Sequence, residues 1–197
     1  ASMLMLYASG FRHDEELLSL ADRLEGSSRD GVSTGVLVWT LIMLTDTFLD
    51  HARRLDADKV WWEARNLIQR NGQAHYQAFS MAGDALFDTL DGFLERAVQT
   101  INRLTEQSKE QGFAELAEIQ IFMIGLRPLI YLGLVDKALG YFATVVSPAA
   151  KALCLAHHGE LAEATTLLEQ WIAPRFTSQY NESKDETPVY GDALLLE

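Results

Sequence analysis

A glycine followed five residues later by an alanine recurs at three places, and it restricts the chain to sharp reversals between closely packed helices. The stretches read Asp91-Gly92-Phe93-Leu94-Glu95-Arg96-Ala97-Val98, Leu132-Gly133-Leu134-Val135-Asp136-Lys137-Ala138-Leu139 and His158-Gly159-Glu160-Leu161-Ala162-Glu163-Ala164-Thr165. Glycine enters the left-handed region at little cost, so a helix can stop on it and the chain can turn back. An alanine one turn into the next helix lets two helix axes approach. The acidic residue between them (Glu95, Asp136, Glu160) favours the positive end of the new helix. The clearest example lies between Ser147 and Ile172, where Ser147 is a candidate N-cap and Pro148 fits the first helical position. There Gly159 closes one helix, and Leu161, Ala164, Leu168 and Trp171 are expected on the inner face of the next.

Apolar periodicity extends this pattern along the chain. The spacing predicts helices over Asp14–Glu25, Gly35–Leu55, Lys59–Gln69, Ala74–Leu90, Phe93–Lys109, Phe113–Leu132 and Asp136–Val146, before the closing pair. The helix over Gly35–Leu55 is apolar nearly all round at its start and is expected to be central. Asp56 and Asp58 are candidate caps for its successor. Pro128 is expected to bend or interrupt its helix, and Pro174 to end the last one. About nine helices result, and no segment alternates apolar and polar residues over strand length.

The three turns, with Leu and Tyr or Phe on the flanking helices, resemble tetratricopeptide-type repeats. Their glycines stand 41 and 26 residues apart, either side of the 34 of that unit. The tail Asp185-Glu-Thr-Pro-Val-Tyr-Gly-Asp-Ala-Leu-Leu-Leu-Glu197 resembles the helical repeat regions of large bacterial signalling proteins, among them nucleotide cyclases with an ATPase module and maltose-regulon-type transcription activators. The resemblance implies an all-α fold, antiparallel helical hairpins stacked as a right-handed tetratricopeptide-like α-solenoid. Residues 1–73 are expected to form N-terminal helices of the same solenoid and 74–172 the repeats. Residues 173–197 are expected to form a loop and the start of a further helix, as in a segment of a longer protein.

Charge and composition narrow the chemistry. A net charge of −12 over 197 residues opposes nucleic acid and anionic lipid as partners. The longest apolar run, Gly35 to Leu44, falls well short of the ~20 residues that span a bilayer. The single cysteine, Cys154, forms no internal disulfide and fits a reducing, cytoplasmic setting. It lies on an apolar helix, as an inert thiol does. Gly31-Val-Ser-Thr-Gly35 lacks the Gly-Lys-Ser/Thr of a phosphate loop, and no Cys-x-x-Cys, His-Glu-x-x-His or Glu-x-x-His pattern occurs. Adjacent His157 and His158 point ~100° apart on a helix and chelate poorly. No cofactor or metal is expected.

The reading that follows is a non-catalytic module, one that binds a protein, a peptide, neighbouring domains of the same chain or a small effector. Its candidate contact residues are the aromatics Trp61, Trp62 and Tyr76 and the cations Arg65, Arg103 and Arg127. Trp61 and Trp62 are adjacent and cannot share one core face, so one of them packs sideways or is exposed. A compact ligand-sensing domain of a transcription regulator is the alternative. A helical enzyme comes third, its only candidates being Asp46, Asp50 and His51, where Asp46 and Asp50 share a helix face.

Overall fold

The computed structural model describes residues 14–141 and 148–179, and among these the chain is entirely helical. Nine helices follow one another: α1 (Asp14–Glu25), α2 (Thr34–Asp50), α3 (Arg54–Asn71), α4 (Ala74–Leu90), α5 (Leu94–Gln111), α6 (Ala114–Tyr131), α7 (Val135–Tyr141), α8 (Pro148–His158) and α9 (Leu161–Gln179). They divide into two compact units, α1 to α3 and α4 to α9. The candidate cap Ser147 and the stretch 180–197 lie outside the described residues.

The turns are more regular than the three sequence matches indicate. Residues with φ between 55° and 92° occur at Gly31, Ala52, Gly72, Gly92, Gly112, Gly133 and Gly159. The first six fall 20 or 21 residues apart. A helix pair therefore recurs every 40 or 41 residues, nearer the roughly 40–47-residue classes of helical repeat than the 34-residue one. The short interval of 41 then 26 expected from sequence arises because the turn at Gly112 belongs to the same series, while Gly159 breaks the spacing.

One hydrogen-bond pattern builds four of these junctions, at Ala52, Gly92, Gly133 and Gly159. At Gly92 the glycine N–H donates to Thr89 O (3.1 Å) and Phe93 N–H reaches back to Asp88 O (2.8 Å). The same pair links Gly133 to Ile130 and Leu134 to Leu129, and Ala52 to Leu49 and Arg53 to Phe48. This is the left-handed helix stop that satisfies two orphan carbonyls at once. The residue after it already starts the next helix, and the alanine four places further on donates the first helical bond: Ala57 to Arg53 O, Ala97 to Phe93 O, Ala117 to Phe113 O, Ala138 to Leu134 O and Ala164 to Glu160 O. All five alanines are at most 2% exposed. Each reversal is only two or three residues long, and the alanine methyl is buried one turn beyond it.

The helix expected over Gly35–Leu55 ends earlier, and its successor, expected from Lys59, starts earlier. It stops at Asp50, and α3 starts at Arg54, because Ala52 takes φ 55° without a glycine to announce it. Asp56 and Asp58 accordingly lie inside α3 and do not cap it: Arg53 holds the N-cap position, and the two carboxylates accept from Arg53 Nε (2.7 Å) and Arg54 Nε (2.9 Å). Pro128 sits in the last turn of α6 and does not interrupt it, since only one bond near the helix end is lost. Likewise α9 runs through Pro174 to Gln179. Leu161, expected on the inner face of α9, is 64% exposed, while Ala164 is buried.

In the N-terminal unit α2 packs against both α1 and α3, which is why it is apolar on most faces. Its buried threonines, Thr40, Thr45 and Thr47, each donate to the carbonyl four residues back at 2.8–2.9 Å, so no hydroxyl is left unsatisfied in the core. Arg29 ties α1 to α3. Its guanidinium donates to Leu24 O (2.6 Å), Ser27 O (2.9 Å) and Glu25 O (3.2 Å) at the end of α1, and to both carboxylate oxygens of Glu63. Arg53 with Asp22 and Lys59 with Glu25 make further ties between the same regions.

In the C-terminal unit α4 packs on α5 and α6, α6 on α5, α7 and α8, and α8 on α9. The first helix of each hairpin thus meets its own partner and the first helix of the next. Two core clusters fill the layers. One joins Ala78 and Ala85 of α4 with Ile101 and Leu104 of α5 and Ile121 of α6. The other joins Val98 of α5, Leu126, Leu129 and Ile130 of α6, Val135 and Ala138 of α7, and Ala150 and Cys154 of α8.

Candidate interaction surfaces

The adjacent tryptophans of α3 separate. Trp61 is 8% exposed and belongs to the core, whereas Trp62 is 71% exposed. Leu55, seven residues earlier on the same helix face, is 84% exposed, and Arg65 also reaches solvent. Asp58, paired with Arg54, and Lys59 lie between Leu55 and Trp62 on that face, so the outer side of α3 carries two exposed apolar side chains among charged ones. Tyr76 is half-buried on α4, Arg103 is exposed on α5 and donates to Thr100 Oγ1 (2.9 Å), and Arg127 is half-buried on α6. Of the six expected contact residues, Trp61, Trp62 and Arg65 fall in the N-terminal unit and Tyr76, Arg103 and Arg127 in the other.

Asp46, Asp50 and His51 do lie together at the end of α2. His51 Nδ1 is 2.7 Å from Thr47 O; a carbonyl only accepts, so Nδ1 carries a proton. Its Nε2 is shut off from solvent, makes no well-aligned hydrogen bond, and stands 3.3 Å from a carboxylate oxygen of Asp14 on α1. The ring therefore joins two helices. The Asp46 carboxyl is raised to about 7, first by desolvation and second by the charge of Asp50. Asp46 keeps exposed surface, and water reaching it relieves part of that rise.

The other reactive residue types are engaged structurally. Cys154 is fully buried in the second core cluster, and burial pushes its thiol up to about 11, away from the nucleophilic thiolate. His158 lies 3.0 Å from Glu160 Oε1 and 3.5 Å from Asp136 Oδ1, which bridges α7 to the turn between α8 and α9. Among the described residues no group of three or more His, Cys, Asp or Glu is placed to hold a metal ion. No described helix is long and apolar enough to cross a membrane.

A second exposed apolar set escapes the sequence pattern altogether. It comprises Leu90 and Phe93 at the α4–α5 turn, Tyr131 and Leu134 at the α6–α7 turn, and Leu161 at the α8–α9 turn, between 39% and 64% exposed. The one local signal, an apolar residue directly after the turn glycine, covers only Phe93 and Leu134 and does not tell them from the packed Phe113. No family model, curated protein or solved structure matches this chain.

Proposed function

We propose that the chain is a non-catalytic helical-repeat module that binds proteins or peptides, or a regulatory effector, within a larger bacterial signalling or transcription-regulatory protein. In that proposal the hairpins stack as a right-handed tetratricopeptide-like α-solenoid. The observation that supports it is the junction repeated at Ala52, Gly92, Gly112, Gly133 and Gly159, each with a buried alanine five residues on. In the C-terminal unit every first helix of a hairpin also packs on the first helix of the next. Repeats of this kind bury their apolar faces only by stacking, and they expose extended surfaces suited to recognition.

The test is selection from a displayed random-peptide library on the immobilised chain, with the winners measured by calorimetry. Peptides binding with roughly micromolar affinity are expected. A chain that selects no peptide, yet is stabilised thermally by a small metabolite, is a ligand-sensing domain; one that turns over a substrate, with loss of turnover in Asp46→Ala or His51→Ala, is an enzyme.

A further inference from the structure

The three turns that carry exposed apolar residues lie along one edge of the C-terminal unit. Successive helices α4, α5, α6 and α7 alternate in direction, so the α4–α5 and α6–α7 turns fall at the same end. The core cluster holds them there: Val98, one turn into α5, packs with Leu129 and Ile130 at the end of α6 and Val135 at the start of α7. The α8–α9 turn joins the same edge through His158 Nε2, 3.5 Å from Asp136 Oδ1. Five of the seven exposed large apolar side chains described in this unit sit at these turns. Their exposure is not forced by the junction. Phe113 occupies the position after Gly112 that Phe93 occupies after Gly92, and at the opposite end of the unit it packs against the core.

The edge is also acidic. Residues 88–96, 131–137 and 157–163 hold six Asp or Glu against two Lys or Arg. Both cations are engaged within the unit: Arg96 pairs with Asp88 and stacks 4.3 Å over the Phe93 ring, and Lys137 Nζ donates to Asn102 Oδ1; of the acids, Glu163 in turn lies 3.6 Å from Lys151 Nζ. The Asp136 side chain is 90% exposed. A row of apolar side chains interspersed with carboxylates selects a partner of opposite charge. Two copies meeting through this edge would set acid against acid, and anionic lipid is repelled in the same way.

We propose that this edge docks a basic amphipathic segment of a protein partner, its apolar side chains seated on Leu90, Phe93, Tyr131, Leu134 and Leu161 and its Lys or Arg side chains beside Asp136 and Glu160. The proposal rests on the binding-module reading and names the surface and the partner chemistry. The probes are two fluorescent amphipathic peptides of about 18 residues, five helical turns, one of Leu and Lys and the other of Leu and Glu. Anisotropy with the full chain is expected to show roughly micromolar binding of the Leu/Lys peptide, weakened by salt, and none of the Leu/Glu peptide. The double variants Phe93→Ser/Tyr131→Ser and Asp136→Lys/Glu160→Lys each lose at least about tenfold in affinity, and Trp62→Ser in the other unit loses none. The charge variant keeps every apolar side chain but also removes the His158 contacts to Asp136 and Glu160, so His158→Ala, which removes the same contacts without adding charge, is measured beside it and is expected to bind the Leu/Lys peptide as wild type does. Equal binding of both peptides, or undiminished binding by the charge variant, overturns the proposal, as does a dimer that these substitutions dissolve. If library-selected peptides still bind both double variants, the module reading stands and this edge is not its surface; if the wild type selects none, that reading falls as well.

Discussion

Ala52 adopts φ 55° at a junction whose counterparts are all glycine, and replacing it should stabilise the protein. An L-residue held in the left-handed region costs about 1–2 kcal/mol. Glycine removes that cost but returns about 0.5–1 kcal/mol through the greater freedom of the unfolded chain. Ala52 is exposed, so its methyl group gives up little burial. The net gain for Ala52→Gly is then about 0.5–1 kcal/mol. The reverse substitutions Gly92→Ala and Gly133→Ala should lose a similar amount, because a Cβ at either position meets nothing within 4 Å and only the backbone term changes. Urea unfolding reads both. Trp39, Trp61 and Trp62 lie in the N-terminal unit, so tryptophan fluorescence chiefly follows that unit, and far-UV circular dichroism follows all helices. With a slope of about 2 kcal/mol per molar, Ala52→Gly raises the fluorescence midpoint by about 0.3–0.5 M. An unchanged or lowered midpoint for Ala52→Gly, alongside the expected losses at Gly92 and Gly133, would show that the Ala52 junction is not the same structural unit as the others.

Three further outcomes follow from the packing and the titrating groups. Ala97→Leu forces a branched side chain between α4 and α5 at the tightest point of their reversal and should cost roughly 1–3 kcal/mol, read as a lowered circular-dichroism midpoint. The Asp46 carboxyl is raised in the folded chain, so its contribution to stability is fully present below the unfolded value near 3.8 and is lost as pH rises through about 7. Asp46→Asn should therefore match wild type at pH 3.5 and exceed it increasingly up to pH 8, measured as the difference in urea midpoint; a constant difference across that range refutes the assignment. Buried Cys154, with its thiol held near 11, should resist an aromatic disulfide reagent at pH 7.5 in the native chain and react at once in denaturant, so that its labelling rate tracks opening of the α6–α8 core.

Local chemistry was enough to predict the helices and most of their ends. The glycines at 92, 133 and 159 announce left-handed stops, the alanines five residues later announce close approach, and the apolar spacing fixes which face of α4, α5 or α8 turns inward. These are short-range properties: a backbone preference at one residue and a 3.6-residue period over a few turns. Where the preference is overridden, the sequence misleads. Ala52 carries no breaking signal, and the apolar pattern runs straight through it; at the reversal Arg53 stacks over the nearby Phe48 ring at 4.7 Å and makes one contact distant in the chain, its pair with Asp22 of α1.

The surfaces divide along the same line. That one of Trp61 and Trp62 must point outward follows from their adjacency on a helix; that it is Trp62 depends on where α2 lies against α3. Phe93 and Phe113 occupy equivalent local positions and meet opposite fates, one exposed and one packed, since burial is set by the helices that happen to stand nearby. Likewise His158 and Asp136 are 22 positions apart in the chain and become neighbours only when α7 and α8 pack. Sequence alone determined where this chain bends at its glycines, because that bending is a property of one residue and its immediate neighbours; the bend at Ala52 it did not show. The tertiary structure decided which apolar groups stay in water and which charges meet, because both depend on distances between helices that no local pattern encodes.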